Sequence, residues 1–182
     1  MNIVFQGKTK KGREIIIRYP EIGDVENLCN FINTLSDEKT FLTYQGEHEN
    51  LKSEGKYLKE RLKDIKDKKV VHLLAFYGDE EIGSCDLKME EKTEKHIGVF
   101  GLAVAKNFRG EGIGKMLMGL TEEEAKKNIP DLKVETLQVY STNSIARDLY
   151  KKMGFTEYGI LPEGIGRLGK FEDSVLMYKK LS

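Results

Sequence analysis

Val99 to Leu120 reads VFGLAVAKNFRGEGIGKMLMGL, and this stretch decides how the rest of the chain is understood. In its first half Val99, Phe100, Leu102 and Val104 form a short apolar run with β-branched and aromatic members, which predicts a buried strand. In its second half Ile113, Met116, Leu117 and Leu120 recur at one-face spacing, which predicts a helix. Between them lies Arg109-Gly110-Glu111-Gly112-Ile113-Gly114. Glycines in alternate positions let the backbone approach a ligand closely and take conformations that side chains forbid. They stand where a helix begins, so free N–H groups and the positive end of the helix dipole point at whatever fills the turn. Such a turn suits an anion, most naturally phosphate, with Arg109 and Lys115 adding positive charge on either side. A glycine-rich connection that binds nothing is the plainer alternative.

Two common phosphate motifs are excluded by spacing. A P-loop needs glycine, four residues, then Gly-Lys-Ser/Thr, but Gly114-Lys115 is followed by Met116 and position 109 is arginine. A dinucleotide-binding turn needs a third glycine three positions after the second, where Lys115 stands.

The 182 residues fit one domain over 1–182, large enough for a substantial core. Apolar residues make up 39% and charged residues 33%, as in soluble globular proteins. Thirty basic residues balance thirty acidic ones, so no global field favours nucleic acid or a membrane surface. No signal-peptide pattern and no apolar run near 18 residues is seen. Cys29 and Cys85 are far apart and lack metal-type spacing, so they read as buried thiols of a cytoplasmic protein, with a catalytic cysteine as the other reading.

In chain order, residues 3–19 predict a hairpin around Lys10-Lys11-Gly12. Helices are predicted over about 23–36 and, from Leu51, Leu58, Leu62 and Ile65, in the lysine-rich segment that follows. Residues 37–48 break the pattern and read as a loop that exposes Phe41, Leu42 and Tyr44. Val70 to Tyr77 and Glu81 to Met89 predict a hairpin. After the long helix to about Asn128 come a strand over 132–139, a helix over 143–153 closed by Gly154, and strands at 155–161 and 171–179 flanking a glycine-rich loop at 162–170. The order ββαα-βββ-αβαββ indicates an α+β domain with a mixed, mostly antiparallel sheet. A helix joins the Val99 strand to the 132–139 strand, so these two should be parallel neighbours.

Asn143 and Tyr150 lie seven residues apart, two helical turns, and share a face, while Ile145, Leu149 and Met153 share another that should pack on the sheet. The pattern N-x-x-A-x-x-L-Y-x-K-x-G-F closely resembles the second signature of the GNAT N-acetyltransferase superfamily. Arg109-x-x-Gly112-x-Gly114 after a strand resembles the acetyl-CoA pyrophosphate loop of the same superfamily. The resemblance spans roughly 13–180 and is strongest over 96–155. It implies a twisted sheet with two splayed central parallel strands, about four helices, and acetyl-CoA as co-substrate with its pantetheine arm in the gap. Carried onto this chain, backbone groups of Leu102, Ala103 and Val104 would meet the acetyl carbonyl and pantetheine. Amides of Arg109, Gly110, Glu111, Gly112, Ile113, Gly114 and Lys115 would hold the pyrophosphate. Asn143 and Arg147 would contact the cofactor, and Tyr150 would protonate the departing thiolate. Asn143 as a plain helix cap and Tyr150 as a plain core residue are the structural readings of the same positions.

Acetyl transfer also needs a neutral amine, and a lysine-like amine of pKa ~10.4 is mostly protonated at pH 7. Many members of the family carry a glutamate base four residues before the position of Leu102; here that residue is Gly98. His96, two residues earlier and on the same side by strand alternation, is a candidate base, as are His48, Glu47 and Glu38 on the 37–49 loop. A water relay with no dedicated base is the alternative. The segment from His96 and the ending Glu172-Asp173-Ser174-Val175-Leu176-Met177 look like the RimJ/RimL-like branch, which acetylates protein N-termini or small amines. The acceptor would come in between the 37–49 and 162–170 loops, with Phe41, Tyr44 and Glu47 as its contacts. No metal is expected, and families that look like this one are commonly homodimeric. An acetyl-CoA-dependent N-acetyltransferase is the leading reading, and a GNAT-fold module that binds acyl-CoA without turnover is the alternative.

Overall fold

The computed structural model describes residues 2–181. The chain opens with β1 (Ile3–Lys8) and β2 (Glu14–Arg18), followed by α1 (Val25–Asp37) and α2 (Leu51–Lys66). Then come β3 (Val70–Tyr77), β4 (Glu80–Met89), β5 (Ile97–Val104) and α3 (Ile113–Asn128). β6 (Val134–Tyr140), α4 (Ser144–Lys152), β7 (Thr156–Arg167) and β8 (Lys170–Lys180) complete it. One sheet runs in the order β1-β2-β3-β4-β5-β6-β8-β7. Its pairings are antiparallel except β5–β6, the two strands joined through α3. The α+β expectation and the predicted element order both hold.

Helices cover both faces of the sheet, and β3 at its centre is apolar on both. Leu74 and Phe76 pack with Leu28 of α1 and Leu58 of α2. Leu73, Ala75, Cys85 and Leu87 belong to a larger cluster with Ile113, Leu117 and Met118 of α3. Successive strand residues point to opposite faces, so the near-continuous run VVHLLAFY is what a strand covered on both sides requires. Full burial of each of these leucines contributes about 1.5–3 kcal/mol. Reciprocal capping starts α2: Asn50 Oδ1 accepts from the amides of Lys52 and Ser53, and Ser53 Oγ accepts from the Asn50 amide. Among the described residues no helix is long and apolar enough to cross a membrane. Both cysteines are buried, and burial pushes their thiols above the ordinary range, which removes the catalytic-cysteine reading.

Four sequence expectations fail locally. Residues 162–170 form no open loop; they extend β7 and start β8 around a two-residue turn at Leu168-Gly169, with a bulge between Leu161 and Ile165. This arm is exposed on both faces, so no alternation of apolar and polar residues marked it as strand. Ile145 does not pack on the sheet: it is 84% exposed on the first turn of α4. Phe41, Leu42 and Tyr44 are half-buried rather than exposed. Finally, β5 is not buried throughout. Gly98 and Phe100 are buried, but Leu102, Ala103 and Val104 are half-exposed.

Candidate active site

The half-exposed end of β5 follows from its pairing. β6 pairs with β5 only at Ile97, Gly98 and Val99. From Gly101 to Val104, β5 keeps its partner on the β4 side alone, while Leu137 to Tyr140 of β6 pair only with β8. The two parallel strands therefore split after three residues and leave a gap edged by backbone. A strand edge without a partner presents N–H and C=O groups to whatever enters.

The glycine turn closes the wide end of that gap. Gly110 and Gly112 have φ of +76° and +88°, which L side chains rarely adopt, and Gly112 is the N-cap of α3 with no side-chain cap bond. Among the described residues no protein acceptor receives the backbone N–H groups of residues 110–115. Gly114 faces the split: a Cβ there would touch the side chains of Leu102, Leu149 and Val104 at 3.6–3.8 Å. Six amides without a protein acceptor and the positive end of a 16-residue helix thus lie where β5, α3 and α4 meet.

Side chains around the turn do different work from what the spacing predicts. Glu111 is fully buried and points away from the gap. It accepts a 2.9 Å hydrogen bond from the Thr9 hydroxyl, lies 3.6 Å from both Lys11 and Arg13, and its carbonyl accepts from the Lys10 amide. The β1–β2 turn is therefore the clamp that fixes the glycine loop. Nothing in the local sequence indicates it, because Thr9 and Glu111 are 102 residues apart. Arg109 donates to the Val104 carbonyl at 2.8 Å and pairs with Glu38, whose other oxygen accepts from the Lys106 amide. It thereby ties the segment after α1 to the loop. Lys115 is exposed on the first turn of α3.

On α4, Asn143 takes the capping role: its Oδ1 accepts from the Ala146 amide at 3.1 Å. Arg147 is occupied by the Ser141 carbonyl and the Glu157 carboxylate, both at 2.9 Å. Tyr150 is buried, with its ring 6.3 Å from that of Phe155. Burial, with a smaller contribution from Cys85, pushes its phenol up to about 12. Cys85 pairs in register with Leu102, which puts Tyr150 near the open end of β5.

The acceptor-side candidates separate. Phe41 packs edge-on against Tyr140 at 5.4 Å, Tyr140 donates to the Leu42 carbonyl, and the Arg167 guanidinium lies 4.8 Å from the Phe41 ring. The 37–49 segment and the β7–β8 arm thus meet at the open end of β6. Tyr44 instead donates to Glu49, and Glu47 accepts from the Gln45 amide on the exposed outside of the loop. His48 pairs with Asp37 on the surface.

Among the described residues β5 itself supplies no base at its closed end. Gly98 has no room for a side chain: a Cβ there would lie 2.6 Å from Leu87 and 2.9 Å from Leu132. His96 is exposed in the turn before β5, where its carbonyl accepts from Lys133 and Val134. Six residues separate it from Leu102, roughly 20 Å along an extended strand, so it is not brought to the split. Period-two alternation gave it the right side but could not show that it lies off the end of the strand.

One residue that the spacing did not single out lies beside the split. Asp86 of β4 pairs in register with Gly101, and its carboxylate borders a cavity of about 360 Å³ on the α1–α2 face of the sheet. Among the described residues no group of three or more potential metal ligands occurs.

Comparison with known proteins fits this architecture. Residues 32–155 match the profile of the acetyltransferase (GNAT) family. An uncharacterised N-acetyltransferase of Methanocaldococcus jannaschii is 37% identical over 82 residues, 45% of this chain and 50% of that protein, so the match spans half the length of that relative. An acetyltransferase of the GNAT family from Streptococcus pneumoniae superposes with a TM-score of 0.84 and 27% identity, covering 92% of this chain and all of that one. Two more distant structures share the fold. A ribosomal-protein-alanine N-acetyltransferase from Brucella melitensis has a TM-score of 0.80 and 23% identity over 91% and 99% of the two chains. YncA of Salmonella typhimurium, described as a putative acetyltransferase and solved with its cofactor acetyl-CoA, has 0.79 and 15% over 92% and 94%. With the split parallel pair, the amide-lined turn and a family profile over most of its length, the chain belongs to the GNAT acetyltransferase family.

Proposed function

We propose that this chain moves the acetyl group of acetyl-CoA to a primary amine by direct attack in a ternary complex. The observation that carries this reading is the row of free amides over residues 110–115 at the mouth of the β5–β6 split. A pyrophosphate on those amides would place the rest of the cofactor along the unpaired edge of β5. The acetyl-CoA of the Salmonella typhimurium neighbour supports the same cofactor here.

The transfer asks for three things. Charge that builds on the acetyl oxygen is stabilised by fixed donors, which the unpaired edge near Leu102 and Ala103 supplies. The leaving thiolate takes a proton, and Tyr150 is the group we assign to give it: with its phenol at about 12 it stays protonated throughout the neutral range. The amine must lose its extra proton before attack. Phe41, with Tyr140 and Arg167 behind it, would form the acceptor-side wall.

Thermal unfolding with acetyl-CoA, with ATP and NADH as controls, tests the cofactor. A ligand at 100 times its dissociation constant adds about 2.7 kcal/mol, a rise of about 5–10 °C for a chain of this size. A rise with acetyl-CoA alone supports the reading and makes a thiol-release screen with amines the next step. No rise overturns it.

A further inference from the structure

Asp86 is fixed on one oxygen and open on the other. Arg61 of α2 donates to Oδ2 at 3.0 Å, and Arg61 is itself held by the Tyr57 hydroxyl through Nε and Nη2. Among the described residues no other side chain donates to this carboxylate, and Oδ1 has no side-chain partner. That oxygen lies across Gly101: a Cβ on residue 101 would be 2.5 Å from it. Gly101 immediately precedes Leu102, on the part of β5 that β6 has left. A glycine here is what lets a carboxylate of β4 lie over β5 beside the split. The 360 Å³ cavity it borders, shared with Lys88, Glu90 and Val99, sits at the small end of ligand pockets.

We propose, resting on the acetyltransferase reading above, that Asp86 is the acceptor site, its Oδ1 holding the primary ammonium over Gly101 and taking one of its protons before attack. The nitrogen lone pair then forms the N–C bond to the acetyl carbon, and the C–S bond breaks. Of the two protons the ammonium loses, one leaves through Asp86 to solvent. The other replaces the proton that Tyr150 gives to the CoA sulfur. Burial raises the Asp86 carboxyl above the ordinary range and so narrows its gap to the amine, although Arg61 opposes the shift. The charged and titratable groups around it are Arg61 and Tyr57 from α2, His72 from β3, and Lys88 and Glu90 from β4 and the residue after it. His72 is held neutral by burial, its pKa lowered to about 3.

The test uses Asp86→Asn and Gly101→Ala in the full chain, with acetyl-CoA binding measured by calorimetry and thiol release measured across pH. The amines are 1,4-diaminobutane, an amino-acid amide and a short peptide with a free N-terminus. The expected result is unchanged acetyl-CoA affinity in both variants and a loss of kcat/KM of about 100-fold or more with whichever amine the wild type uses. The low-pH arm of the wild-type pH profile should disappear in Asp86→Asn. Gly101→Ala keeps the carboxylate but pushes it aside, so it serves if Asp86→Asn does not fold. Activity within threefold of wild type in a folded variant overturns the proposal. Acetyl-CoA binding by the wild type without thiol release from any of these amines also overturns it and leaves the cofactor site standing. Absence of acetyl-CoA binding overturns instead the acetyltransferase reading beneath it.

Discussion

Gly98 and Gly101 of β5 are three residues apart and belong to different environments. At Gly98 the strand is paired on both sides, and leucines from β4 and from the residues before β6 fill the space a side chain would need. At Gly101 β6 has gone, and the missing side chain leaves room for a carboxylate instead. The same residue type thus seals the core at one end and opens the sheet at the other. A glycine is informative only through what stands over its Cα, and that depends on which face of the strand it occupies and who the neighbours are.

Gly98→Glu, which restores the carboxylate common in the family, tests the sealed end and carries the largest expected effect. Overpacking against Leu87 and Leu132 together with a buried unpaired acid should cost about 4 kcal/mol or more, read as a large drop in the denaturant midpoint. A variant that stays stable and gains activity would show that this end can open. Tyr150→Phe tests the open end. Thiol release should fall about 100-fold, equal to roughly 2.7 kcal/mol, with acetyl-CoA affinity kept and the melting temperature little changed. Unchanged turnover would remove the phenol from the reaction.

His72, paired in register with Asp86, sharpens the contrast through pH. Its folded pKa of about 3 lies below the ordinary 6.5, so the folded protein resists the proton that the unfolded chain accepts. Its contribution is present above pH 6.5 and is lost as pH falls towards 3. The stability difference between wild type and His72→Gln should therefore shrink by about 1.4 kcal/mol per pH unit below 6.5, about 2 kcal/mol by pH 5, in denaturant titrations at several pH values. A difference that does not vary with pH would mean that the imidazole titrates normally. The smallest effect is expected from His96→Ala. Activity within threefold and a melting temperature within about 1 °C are predicted, because the side chain is exposed beyond the closed end of the strand. A loss of tenfold or more would put His96 back at the chemistry.

Much of the fold was legible where one local rule decided the outcome. Hairpin turns, helical spacing in α1 to α4 and the strand–helix–strand order gave the elements and the parallel β5–β6 pair. The glycine turn was legible because alternating glycines at a helix start have few uses. What escaped had no local signal. The β7–β8 arm is polar and glycine-rich on both faces, so only its cross-strand pairing makes it a strand. Arg109, Arg147 and Asn143 sit in the predicted places, but distant or backbone partners claim their side chains.

By itself the sequence determined the element order, the parallel β5–β6 pair and the glycine turn at the start of α3, because periodicity, glycine spacing and helix-end chemistry act over a few residues. The split between the two strands was implied only by the resemblance to the family. Only the tertiary structure decided that Glu111 is clamped by Thr9, that Gly98 is sealed, that His96 lies off the strand, and that Asp86 reaches across Gly101. Each of these depends on the register between strands and on contacts between elements far apart in the chain, and side-chain reach within a single segment does not contain that information.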